Sequence, residues 1–194
     1  MIDKRKVVIE KTRQVNTYKI IWQGSYWTLD QAKKEVGGSF YQIMASLIFT
    51  AFTLEAYLNH IGKITFECWD DLDRLSPYAK INVIAEKLKV NNDNRKRPFQ
   101  TVKILFDFRN DLAHGKTITL ADKKVFQITD ETHEIYMHQP LEPRWAKYCT
   151  IDNAERARED IEKIIKIFNN SAGIKDDYLG ISAGTSSSAT VLPE

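Results

Sequence analysis

The sequence predicts a mainly α protein: an up-and-down helical bundle with a small β-rich insert and a disordered C-terminal tail. Apolar residues recur at helical spacing in four stretches, 39–61, 76–88, 98–115 and 151–168. Residues that start or stop helices (Ser, Pro, Gly) bound most of them. The composition is that of a globular chain, with 43% hydrophobic and 28% charged residues, and 194 residues suffice for one core. A single domain is therefore expected over 1–170, with 116–150 as the insert and 171–194 as the tail.

The first 35 residues give the weakest pattern. "KVVIEK" and "NTYKIIWQ" have strand character, whereas "TLDQAKKEV" has helical character with Thr28 placed as an N-cap. Gly37 and Gly38 then interrupt the chain. Ser39 to Ile61 is expected to form one long helix, the spine of the fold, with Gly62 positioned to end it. This stretch is about as long as a bilayer span. Its Gln42, Ser46, Thr50, Thr53 and Glu55, followed by Asn59 and His60, fit a helix buried within a bundle better.

Ser76 is set to cap the next helix, with Pro77 at its first position and Tyr78, Ile81, Ile84, Ala85 and Leu88 along one face. "NNDN" ends it. Pro98 opens another, with a stripe of Phe99, Val102, Leu105, Phe108 and Leu112 that stops at Gly115. Between 116 and 150, "KTITL", "KVFQI" and "HEIYM" are short, β-branched or aromatic, and separated by polar turns, so a hairpin or three-stranded insert is expected. Asp152 and Glu155 form a capping-box-like start for the last helix. Its buried stripe comprises Ile151, Ala154, Ala157, Ile161, Ile164, Ile165 and Phe168. Beyond Asn170 the chain has few large apolar side chains and is expected to be disordered.

A formal net charge of +2 provides no strong global field to attract nucleic acid. Cys68 and Cys149 have no metal-ligand spacing around them and are expected as reduced thiols. The N-terminus lacks an apolar leader core, so a cytoplasmic location is expected. No phosphate loop, serine nucleophile motif or zinc pattern occurs, and no metal or cofactor is expected. His133 and His138 would point to opposite faces of a regular strand. The segment 87–103 carries Lys87, Lys89, Arg95, Lys96, Arg97 and Lys103 against the single Asp93. It fits an RNA-tracking strip and a solvated loop equally well.

The chemistry concentrates in "FDFRNDLAHGK", residues 106–116. Asn110 and His114, four apart, share a helix face, and Asp107 and Asp111 lie near it. Arg109 is offset from His114 by about 140° beyond a full turn, within reach of a long side chain. An imidazole titrating near neutrality can take a proton from a 2′-hydroxyl or give one to a leaving 5′-oxygen. A guanidinium suits the charge that builds on phosphoryl oxygens. One chain offers one such histidine; a two-fold dimer joining two of these helix ends would offer two.

"RNDLAH" resembles the R-x4-H motif of the HEPN superfamily, including the polar residue that often follows the arginine. "ASLIFTAFTLEAYLNHIG" resembles the long HEPN helix with its embedded glutamate, and "SPYAKINVIAEKL" the helix after it. The likeness covers residues 39–116 and the closing helix 152–169. It implies an α-helical bundle that dimerises so that two motifs face one cleft. It also implies metal-independent endoribonuclease activity in toxin–antitoxin, phage-defence or RNA-processing settings, with an antitoxin or defence protein as a partner. Carried over, Arg109 and His114 take the catalytic places and Asn110 the polar support, with Asp111, Asp107 and Glu55 around them. Glu55 read by itself is a carboxylate in an apolar helix that needs a partner, for which Arg109 is the candidate. Lys116 joins the basic residues named above as a candidate RNA contact. The first 35 residues and the insert have no counterpart in the minimal bundle.

Overall fold

The computed structural model describes residues 7–35, 37–127, 132–175, 179 and 185–191. Tyr18, Trp22, Ser25, Leu29 and Ala32 lie on one buried face at helical spacing, so 17–34 forms a single helix, α1 (Thr17–Lys34). The strand expected in "NTYKIIWQ" is absent, because burial follows the helical period and overrides local β propensity. Thr28 caps nothing; it lies inside α1 and its hydroxyl donates to the Gly24 carbonyl.

Helix α2 (Phe40–Thr65) is the spine, and Leu47, Ala51, Leu54, Tyr57, Leu58 and Ile61 are fully buried along it. Its polar positions are matched across the α1 interface. The Ser25 hydroxyl lies 2.7 Å from that of Thr50, and Ser46 donates to the Ser25 carbonyl at 2.9 Å. Buried hydroxyls are thereby satisfied within the bundle. Arg158 seals the same seam, with its guanidinium 3.8 Å from the Trp22 ring centroid and donating to Ser25 Oγ at 2.7 Å. Burial lowers its pKa to about 10. Among the described residues, no helix is long and apolar enough to cross a membrane.

α2 does not stop at Gly62. A short helix, α3 (Trp69–Leu72), folds back and lays the Trp69 indole against that glycine. The missing side chain serves close packing here, not a helix end. α4 (Pro77–Leu88) begins as expected: Ser76 Oγ accepts from the Ala79 N–H at 3.3 Å, and Lys89 closes the helix at φ +56°. Ser76→Ala is expected to cost about 1 kcal/mol in chemical denaturation, the usual worth of an N-cap. α5 (Phe99–Ala113) packs against α2 and the last helix, α8 (Ile151–Ser171), with Leu105, Phe106 and Phe108 buried and the Phe106 ring 5.9 Å from that of Tyr78 in α4. α8 starts one residue before Asp152, and its cap is Thr150, whose hydroxyl accepts from the Asn153 N–H. The expected stripe from Ala154 to Phe168 is buried.

The insert differs from expectation. Residues 115–127 are irregular, and "HEIYM" lies in a helix, α6 (Thr132–His138), followed by α7 (Arg144–Tyr148). Short β-branched runs become strands only when a ladder partner is beside them. Here the Tyr136 hydroxyl donates to Asp122 and its ring packs on Phe126 instead.

The strands lie at the two ends of the described chain. β1 (Val7–Arg13) pairs antiparallel with β2 (Thr185–Val191), from Val7 opposite Val191 to Arg13 opposite Thr185. Every residue of β1 is exposed. The tail is therefore ordered at 185–191 and also at Leu179, which is buried and accepts from the Gln23 amide. Residues 171–175 are also ordered, as the end of α8 and the turn that closes it, and the remaining positions of the disorder expectation, 176–178, 180–184 and 192–194, lie outside the described residues. Both cysteines are free thiols. The outcome is a mainly α bundle with a small two-stranded sheet.

Candidate functional site

Packing decides where the motif side chains point. With Leu105, Phe106 and Phe108 buried, the next residue of α5 emerges against α2. Arg109 Nη2 donates to Glu55 Oε2 at 2.6 Å, Nη1 donates to Asn110 Oδ1 at 3.0 Å, and the guanidinium lies 5.7 Å from the Phe52 ring centroid. Both members of the ion pair are sheltered, at 23% exposure for Arg109 and 30% for Glu55. The partner needed by the carboxylate in α2 is thus the motif arginine. Arg109 Nε is buried without a hydrogen-bond partner.

His114 occupies the C-cap of α5. Its backbone N–H donates to the Asn110 carbonyl, which leaves the exposed imidazole with no structural duty at the cap. It faces an open groove of about 670 Å³ lined by Asn110, Asp111, His114, Lys116, Arg144 and Trp145. A second hollow of about 280 Å³ shares Asp111, Arg144 and Trp145 and adds Asp107 and Lys147. Arg109 does not line the groove; it reaches the wall through Asn110. The structure therefore gathers Glu55, Arg109 and Asn110 into one polar string and places Asn110, Asp111 and His114 together in the groove. Asp107 turns aside and accepts from Lys103 at 2.6 Å.

Three cations of the expected basic strip are neutralised by carboxylates. Arg95 pairs with Asp93 at 3.0 Å, and Arg97 pairs with the fully buried Asp160 at 2.7 Å. Lys103 is held by Asp107, Lys87 lies over the Phe66 ring, and Lys89 closes α4. Lys96 is exposed in the turn before Pro98, and Lys116 alone of the seven lines the groove. Arg144, Trp145 and Lys147 were not legible as site residues. The only signal is a cation beside an aromatic after Pro143, which also describes any short surface helix. Among the described residues, no cluster of three or more His, Cys, Asp or Glu side chains is set to hold a metal ion. No family model, curated protein or solved structure matches the chain.

Proposed function

We propose that this chain is a metal-independent endoribonuclease of the HEPN type, cytoplasmic and homodimeric, acting in a toxin–antitoxin or phage-defence setting under a partner protein's control. One arrangement supports this most: the Glu55–Arg109–Asn110 string ends at the groove that His114 lines. In the reaction, the RNA 2′-oxygen gives its proton to one imidazole and bonds to phosphorus. The bond from phosphorus to the 5′-oxygen breaks, and that oxygen takes a proton from the imidazole of a second copy. The products are a 2′,3′-cyclic phosphate and a 5′-hydroxyl. The scheme requires Arg109 to turn from Glu55 into the groove, where its guanidinium holds the scissile phosphate and Asn110 orients it.

A second reading, a non-catalytic module binding a nucleotide or a protein, is favoured by one observation: Glu55 neutralises Arg109 and holds it behind the groove. The purified chain separates the two. With labelled single-stranded RNA in excess EDTA, the enzyme is expected to yield cyclic-phosphate ends, and Arg109→Ala to yield at least a hundredfold fewer. Equal cutting by both would identify a contaminant and end the nuclease proposal. Absence of cutting in every oligomeric form of the wild type would favour the binding module.

A further inference from the structure

The groove has a second wall that the motif does not supply. Three cations line the two neighbouring hollows, namely Lys116, Arg144 and Lys147; none forms a salt bridge among the described residues, and Lys147 is near enough to Asp122 to help hold its carboxyl below the usual range. This contrasts with Arg95, Arg97 and Lys103, each spent on a carboxylate. Between these cations lies Trp145. Its ring has Phe40 behind it at 6.4 Å between centroids, and the side chain is half-buried against the core. Asp107 and Asp111 form the facing wall; Asp107 is already satisfied by Lys103, which leaves Asp111 as the groove's acidic group. A half-buried aromatic face flanked by cations that form no salt bridge matches the chemistry of a nucleotide: a planar base to stack and a phosphate to neutralise.

We propose that α7 and Lys116 form a nucleotide-holding subsite beside His114. Trp145 stacks the base adjacent to the cut, and Arg144 with Lys116 grips the phosphate on its far side. The assignment rests on the endoribonuclease reading for its purpose. Stacking on Trp145 requires an unpaired base, so the subsite selects single-stranded segments and excludes a closed duplex. Lys147, in the shallower hollow, extends the phosphate path along α7.

The test uses the full chain and a fluorescent eight-nucleotide 2′-O-methyl RNA, which cannot be cut because its 2′-oxygens carry no proton. Anisotropy is recorded over a range of salt concentrations. Wild type is expected to bind the single strand at least tenfold more tightly than the matching duplex. Arg144→Gln and Lys116→Gln should each weaken binding and reduce the salt slope by about one. Trp145→Leu should weaken binding about tenfold without changing the slope, whereas Trp145→Phe, which keeps a ring, should retain most of it. Lys163→Gln, a surface cation on α8, should leave binding unchanged. Wild-type affinity in Arg144→Gln, Lys116→Gln and Trp145→Leu, preference for duplex, or no binding by the wild type would overturn the subsite. Failure of the nuclease reading alone would look different: the 2′-O-methyl oligomer would still bind in the groove, and unmodified RNA would remain uncut.

Discussion

His114→Ala is expected to lower the rate of RNA cleavage by about a thousandfold while leaving the thermal midpoint within a degree or two of wild type. Proton transfer by a positioned side chain typically contributes 10²–10⁴-fold. In the dimeric scheme the substitution removes acid and base together, so the loss belongs in the upper part of that range. Stability should hold because the cap of α5 is closed by the backbone N–H of residue 114, which alanine keeps. The imidazole is exposed at the groove and makes no core contact. The paired measurement is single-turnover cleavage in EDTA alongside a calorimetric scan. A loss smaller than about fivefold with an intact fold would remove His114 from the chemistry. A collapse of the thermal midpoint would show that the residue is structural.

Gly62→Ala is expected to destabilise the protein by about 3 kcal/mol. Substituting alanine for glycine inside a helix ordinarily gains about 1 kcal/mol, so the sign of the expected effect is itself diagnostic. The cause is steric: an added Cβ at residue 62 would lie 2.3 Å from atoms of the Trp69 ring. Trp69 is almost wholly buried against Phe66 and under the Lys80 ammonium, so the indole has no free volume to enter. Overpacking a filled core costs 1–3 kcal/mol and sometimes more. Gly24 provides the control, since a Cβ there meets the Phe49 ring at an ordinary 3.4 Å and should be tolerated. Urea unfolding of both variants gives the comparison, and a neutral Gly62→Ala would refute the packing account.

Where the sequence was readable, the physics was local and repetitive. The stripes of α4, α5 and α8 follow the helical period closely, and Ser76 with Pro77 marks a helix start that needs no tertiary information. Gly62 misled because glycine serves two purposes, ending a helix or admitting a neighbour, and only the position of Trp69 distinguishes them. The insert misled because β propensity describes a surface that fits a pleated neighbour, and among the described residues no strand pairs with 116–127. The polar string was half legible: a carboxylate in an apolar helix demands a cation, and Arg109 meets the demand. The far wall of the groove was not legible. Arg144 and Trp145 acquire meaning only when α7 folds back beside α5.

The ribbon of β1 and β2 joins residues roughly 180 positions apart. Translation at 5–20 residues per second separates their appearance by roughly ten to thirty seconds. Throughout that interval the nascent β1, with Val7, Val8 and Ile9, presents an unmatched hydrogen-bonding edge. β2, translated roughly 180 residues later, shields that edge, so chains truncated before residue 185 would emerge with it still open to other copies.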